Sequence, residues 1–340
     1  MTSIKRTMGL LLTIVLAMAL LLGAAAAEEA AQVTNDDIII RDPFILTYEG
    51  KYYLYGTEGS APFSGAMDHF EVYVGTDLEH WEGPYIVFQN DGTFWANQRY
   101  WAPSIIARDG KIYLFGTMGG EGWASMNGIQ VFVADDPLGP FTPATEFPFT
   151  SPDYECIDPE IYVEDGKNYI IYSHKNDGEK NGFYAAELNA ELTGFAAPDT
   201  EHIFLFNDNV EDVSWAVTSM TDGAAILTTP SGRLLCFFST RDDADMGVQS
   251  YNMGYAVSDN GRLDGHWTVS DQKMLPDGES GGHNMFFVNL DGDVMTTYHS
   301  PNVKLPAFGG NPVFQYVLEQ EDGTILFVDE LPAEEANNAA

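Results

Sequence analysis

The sequence is short of basic residues: 15 Lys and Arg stand against 51 Asp and Glu in 340 residues, a formal net charge of −36. A surface this negative repels nucleic acid and anionic membranes, which excludes both as partners, and it suits a neutral substrate better than a polyanion such as unesterified pectin. Cysteine is also scarce. Cys156 and Cys236 have no CxxC spacing, which excludes a cysteine zinc site. Outside the cell they can pair, but Cys156 sits two residues before Asp158 and reads as buried filler, so unpaired thiols are the expectation. Helix-period amphipathic segments are sparse beyond the N-terminus, which leaves the all-β class.

Long hydrophobic runs are missing too. The longest, Met8 to Leu22, is about 15 residues against the ~20 needed to span a bilayer. It follows Lys5 and Arg6 and precedes the small residues Ala24 to Ala27, the make-up of a cleavable export signal. No cysteine follows to suggest a lipoprotein. Residues 1–27 are therefore expected to be a signal peptide, 28–332 a single domain and 333–340 a disordered tail, with the mature protein secreted and free of the membrane.

What is abundant is repetition. Five segments open on Asp42, Trp101, Asp158, Asp222 and His283, run into an apolar strand, turn at Gly50, Gly110, Gly166, Gly232 or Gly292, and finish in a second apolar or aromatic strand. The glycines recur at intervals of about 60 residues, the mark of a repeat architecture built from short strands. A second echo follows four of the turns, in which a strand and a small polar turn lead to an aromatic: Trp81, Phe141, Phe195 and Trp267. The pattern predicts an all-β, five-bladed β-propeller with about four antiparallel strands per blade. Val313 to Val328 is the stretch left to close the ring against the first blade.

In a propeller the innermost strands surround one axis, so their heads converge at one mouth of the central channel. Any single Asp-Pro or Asp-Gly is as readily a turn cap as a site residue. Three carboxylates with an aromatic and an imidazole at one place in the repeat are not, because buried carboxylates without a purpose are costly. Carboxylates beside an aromatic wall suit glycoside hydrolysis, in which one stays ionised to activate water and another, kept protonated by a like charge, protonates the leaving oxygen. Trp101 offers a sugar ring a flat apolar face, or packs between blades.

The segments Arg41-Asp42-Pro43-Phe44, Trp101-Ala102-Pro103-Ser104, Ile157-Asp158-Pro159-Glu160, Gly282-His283-Asn284-Met285-Phe286 and Thr297-Tyr298-His299-Ser300-Pro301-Asn302 resemble glycoside hydrolase family 43. The resemblance runs over about residues 36 to 330. It implies a five-bladed propeller that removes arabinofuranosyl or xylosyl units, with galactofuranosyl a further candidate, from neutral plant polysaccharides or oligosaccharides with inversion. Asp42 then matches the general base, Asp158 the residue that orients the acid and tunes its pKa, and Trp101 a sugar contact. His283 matches a histidine facing a calcium ion held largely through waters in the central channel. Phe44 and His174 join the expected substrate contacts, although a satisfied core histidine is the competing reading of His174.

Two positions depart from the family pattern. Asp222 stands where a fourth-blade glutamate acid followed by Gly-Pro is usual, with one methylene less reach and Ala224 in place of the proline. Glu211 is the alternative acid, against its reading as a solvated loop residue. Ser104 replaces a glutamate common after Trp-Ala-Pro. These departures keep open a catalytically impaired carbohydrate-binding propeller as the alternative function. A propeller serving only as an interaction scaffold ranks below both. The loops Thr57 to Asp68 and Asp242 to Gln249 are expected to decide between exo and endo action.

Overall fold

The computed structural model describes residues 32–60, 67–120, 127–209, 213–220 and 222–332. Residues 1–27, residues 333–340 and Glu211 lie outside the described residues. The chain forms five antiparallel sheets in sequence order. Blade one contains β1 (Gln32–Thr34), β2 (Ile40–Tyr48), β3 (Lys51–Glu58), β4 (His69–Gly75) and β5 (His80–Gln89). Blade two contains β6 (Gln98–Arg108), β7 (Lys111–Gly119), β8 (Gly128–Ala134) and β9 (Thr142–Pro143). Blade three has β10 (Glu155–Glu164), β11 (Lys167–Lys175), β12 (Gly182–Glu187) and β13 (His202–Asn207). Blade four has β14 (Asp222–Thr228), β15 (Leu234–Thr240), β16 (Asn252–Ser258) and β17 (Trp267–Val269), and blade five has β18 (Gly282–Val288), β19 (Val294–Ser300), β20 (Asn311–Glu319) and β21 (Ile325–Val328).

Each blade is a meander in which consecutive strands pair, and β1 adds to the outer edge of blade one. The first strands touch in a closed cycle, β2 to β6, β10, β14, β18 and back to β2, so the fold is a five-bladed propeller. Its inner hairpins turn at the five expected glycines, all of which have positive φ, a conformation glycine adopts without the steric penalty a Cβ brings.

The hydrophobic core is divided among the blade junctions rather than centred. One cluster joins blades one and two through Tyr55, Phe70, Leu114 and Phe132, and others fill the remaining junctions. The outer aromatics pack back on their blades as the repeat implies: Trp81 is wholly buried, and Phe141 and Trp267 nearly so. A buried side chain of this size contributes about 3–5 kcal/mol. Trp81 also donates from Nε1 to Asn35 Oδ1 at 2.7 Å, which keeps its one polar group satisfied.

Val313 to Val328 forms the outer half of blade five, and Phe314 packs on Trp81 with ring centroids 5.8 Å apart. Backbone closure comes from elsewhere. Ile40 and Gly310 exchange hydrogen bonds of 2.8 and 2.9 Å, and Asn311 Nδ2 donates to the carbonyls of Asn35, Asp36 and Ile38. Cys156 and Cys236 are buried and unpaired, in different junctions.

Candidate active site

The five inner hairpins share an irregularity that builds the site. The last paired residue before each break in register is Arg41, Trp101, Ile157, Asp222 or Gly282, facing Thr57, Thr117, Ser173, Ser239 or His299. The next residue is left-handed in every blade: Asp42 (φ 49°), Ala102 (42°), Asp158 (58°), Gly223 (76°) and His283 (53°). For a non-glycine residue this costs about 1–2 kcal/mol, and such strain persists where the surroundings fix it. The heads expected from sequence are therefore equivalent in blades one, three and five. In blades two and four the left-handed residue is Ala102 or Gly223, and Trp101 and Asp222 come from the position before it.

The strained residues are held by the preceding blade. Asp42 N donates to His299 Nδ1 at 3.3 Å, Ala102 N to Thr57 Oγ1 at 2.8 Å, Asp158 N to Thr117 Oγ1 at 2.8 Å, and His283 N to Ser239 Oγ at 2.8 Å. Blade four is the exception. Gly223 N–H interacts with the Asp158 carboxyl, and Ser173 Oγ, the matching acceptor, is buried without a hydrogen-bond partner.

Arg41, Asp42, Thr57, Trp101, Ile157, Asp158, Asp222 and His283 line a cavity of about 80 Å³ at the head of the channel. The structure thus brings together Asp42, Trp101, Asp158, Asp222 and His283. Phe44 instead packs between blades against two core clusters. His174 is buried, stacks on Tyr154 at 4.0 Å and pairs with Asp177 at 3.2 Å. Neither lines the cavity; both serve packing. The base of the Asp242 loop is tied down by Lys273 at 3.2 Å and Ser250 at 2.6 Å.

The environments of the three carboxyls differ. Burial pushes Asp42 up, but His283 at 3.1 Å, Arg41 at 3.9 Å and the Thr57 hydroxyl, donating at 2.6 Å, hold it below the usual carboxylate range. Burial also pushes Asp222 up, and the hydrogen bond and charge of His283, the Tyr251 hydroxyl and Arg41 bring it down to about 2. Asp158 goes the other way: burial, with Asp222 and Asp42 adding like charge against the pull of His283, raises it to about 8. The proton of the Asp158–Asp222 pair therefore rests on Asp158. His283, pushed down by burial but surrounded by the three carboxyls, rises to about 10 and is a cation at neutral pH.

A second layer holds this arrangement. Arg41 donates to Asn302 Oδ1 at 2.8 Å, and His299 Nε2 meets the same oxygen at 2.8 Å. Burial and Arg41 drive His299 down to about 3, so it is neutral and its Nδ1 can accept from Asp42 N. Tyr251 hydrogen-bonds Asp222, stacks on His299 at 5.7 Å and lies 5.9 Å from the Arg41 guanidinium. It comes from a third-strand approach that no motif marks.

Polar groups without partners are buried around the inner hairpins of blades two and five. Burial pushes the Glu160 carboxyl up to about 8. Ser104 Oγ beside it falls short of hydrogen-bond geometry, and Asn284 Oδ1 and Nδ2 and Thr297 Oγ1 are buried without partners. Oxygen donors of this kind fit a hydrated hard cation such as calcium. The ligand atoms of Asp158, Asp222 and His283 also lie within 4.8 Å of one another, but His283 Nδ1 already faces Asp42 and Asp222.

Residues 38–325 match the family model described as Glycosyl hydrolases family 43. The chain is 31% identical over 155 residues to Xylosidase/arabinosidase 43A of Humicola insolens, covering 42% of this chain and 45% of the relative. It is 24% identical over 332 residues to an arabinoxylan arabinofuranohydrolase of Paenibacillus polymyxa, covering 84% of this chain and 49% of the relative. The match thus spans about half the length of these curated relatives. Among solved structures, an endo-arabinase from Bacteroides thetaiotaomicron VPI-5482 superposes with a TM-score of 0.71 at 26% identity, covering 85% of this chain and 98% of that one.

Proposed function

Because the chain belongs to glycosyl hydrolase family 43, we propose that it is a secreted, inverting glycoside hydrolase that removes arabinofuranosyl or xylosyl units from neutral plant polysaccharides or oligosaccharides. The observation that carries this reading is the divergence of three carboxyls in one cavity: Asp42 is held ionised while burial and like charge keep a proton on Asp158 beside Asp222. Titratable neighbours driven apart in this way divide acid from base work.

In this mechanism Asp42 accepts the proton of the attacking water. Its oxygens take Thr57 and His283 and keep lone pairs for that water. Trp101 supports the sugar ring. The Asp158–Asp222 pair supplies one proton to the leaving oxygen, with Asp222, on the fourth blade, facing it. The raised pKa of Asp158 favours a second reading, in which Asp158 itself is the donor.

The oxygens of Ser104, Asn284 and Thr297 would hold a calcium ion largely through waters, and the ion would add positive charge under the carboxyls; His283 would join them only as the neutral imidazole, the form that the charge of a bound ion favours. Chelation is expected to lower the thermal midpoint by about 5 °C, if saturation near 100 times the dissociation constant adds about 2.7 kcal/mol. Calcium should restore it. A midpoint unmoved by exhaustive chelation in differential scanning calorimetry would remove the ion from the account. The basic start and short apolar run of residues 1–27 support export.

The test is hydrolysis of p-nitrophenyl α-L-arabinofuranoside, β-D-xyloside and β-D-galactofuranoside, with the first-formed anomer read by NMR. Turnover of one of them to the inverted sugar is expected. No turnover on any, with no sugar released from arabinan or arabinoxylan, would leave the carbohydrate-binding propeller instead.

A further inference from the structure

In a four-stranded antiparallel blade, the chain leaves the outermost strand at the end where the innermost began. The segments 90–97 and 144–154, which follow β5 and β9, therefore lie on the face that carries the catalytic mouth. Between them is a groove of about 630 Å³, separate from the 80 Å³ catalytic cavity and lined in part by Asp91, Phe94, Trp95, Thr145, Glu146 and Phe147. Its volume falls within the range of about 300–1,000 Å³ usual for ligand sites.

The walls are fixed in advance by a buried amide. Gln130, fully enclosed on β8, accepts from Trp95 Nε1 at 3.1 Å and donates to Thr145 O and Oγ1 at 2.8 Å each. The Asn90 side chain folds the first wall, donating to Phe94 O at 3.2 Å and Ala96 O at 2.6 Å and accepting from Gly92 N at 2.8 Å. Phe94, Trp95 and Phe147 make a row of rings with successive centroids 5.8 and 6.4 Å apart, and Phe147 is 47% exposed. Rings held in place before a ligand arrives reduce the ordering cost of binding.

The lining also sets the chemistry. Its charged residues are the exposed acids Asp91 and Glu146, and no Lys or Arg is among the described lining residues. That sign rejects anionic ligands, while ring faces for C–H surfaces and acid and hydroxyl edges for O–H groups match a neutral sugar chain. We propose that this groove is a second saccharide-binding site, which holds a stretch of neutral polysaccharide on the catalytic face. The choice of a plant pentose or galactose polymer as occupant rests on the glycosidase reading.

The test is affinity electrophoresis of the full chain, carrying Asp42→Asn to spare the polymer, in gels containing arabinan, arabinoxylan or arabinogalactan. Retardation by at least one polymer is expected. Phe147→Ala should raise the dissociation constant about five- to tenfold, in line with the loss of one ring contact, and Asp91→Ala should weaken binding by a smaller factor. Matching circular dichroism and thermal midpoints show that both variants fold. Retardation by none of the three polymers, or dissociation constants within twofold of the parent in both variants, would overturn the site. The aryl glycoside assay decides the catalytic reading separately, so either can fail without the other.

Discussion

Asp42→Asn is expected to lower kcat/KM on the preferred aryl glycoside by about 10³–10⁴-fold, the upper part of the range for loss of a general base. The amide keeps the shape of the carboxyl and can still accept from Thr57, so the left-handed turn and its bond to His299 survive. What disappears is the negative charge that takes the proton of water. His283 retains Asp222 at 3.6 Å and the Asp158 carboxyl as partners, so the imidazolium is not stranded. Steady-state kinetics would read the loss in kcat, with KM within a few-fold of the parent. A loss below tenfold, with the same inverted product, would remove Asp42 as the base.

The second large effect separates Asp222 from Asp158. Proton donation matters in proportion to the basicity of the leaving oxygen, because a good leaving group departs as an anion. Asp222→Asn is therefore expected to cost about 10²–10⁴-fold on arabino- or xylo-oligosaccharides and roughly tenfold or less on a 2,4-dinitrophenyl glycoside. Asp158→Asn should impair both substrates alike, because it acts through the electrostatics and orientation of its neighbours. The opposite pattern, leaving-group dependence in Asp158→Asn and none in Asp222→Asn, would assign the donor to the carboxyl on which the resting proton sits. Glu211 becomes the residue to test if neither variant shows the dependence.

Blade number and the inner hairpins were legible in the sequence because their signals are local and repeated: a glycine turn, an apolar pair of strands and a returning aromatic. Asp42, Asp158 and His283 were legible for the same reason. The displacement in blades two and four was not, because periodicity cannot say which residue of a bulged pair turns left-handed. A signal was present at Gly223, the residue type that accepts this conformation most easily. Tyr251 and Glu160 were missed because each acts through its neighbours in space, Asp222 and His299 for one and His283 for the other. Phe44 and His174 share the inner hairpins with site residues, but the break in register between Arg41 and Phe44 and the one-residue step from Ser173 to His174 turned them to packing partners.

The exchanged latch in blade four bears on how the ring feels the movement of a proton. Four of the five heads are fastened to the blade before them through a side-chain hydroxyl or imidazole, so a change in any of these strains its neighbour as well. The fourth head is tied to the blade before it through the Asp158 carboxyl instead, and Ser173 Oγ is left without a partner. The joint beside Asp222 is therefore fastened by a group that itself exchanges a proton. Loss of that proton strengthens the bond from Gly223 N–H, because a charged acceptor binds more tightly than a neutral one. Proton movement in the funnel is thus felt by the backbone that carries Asp222, which the hydroxyl-tied joints do not allow.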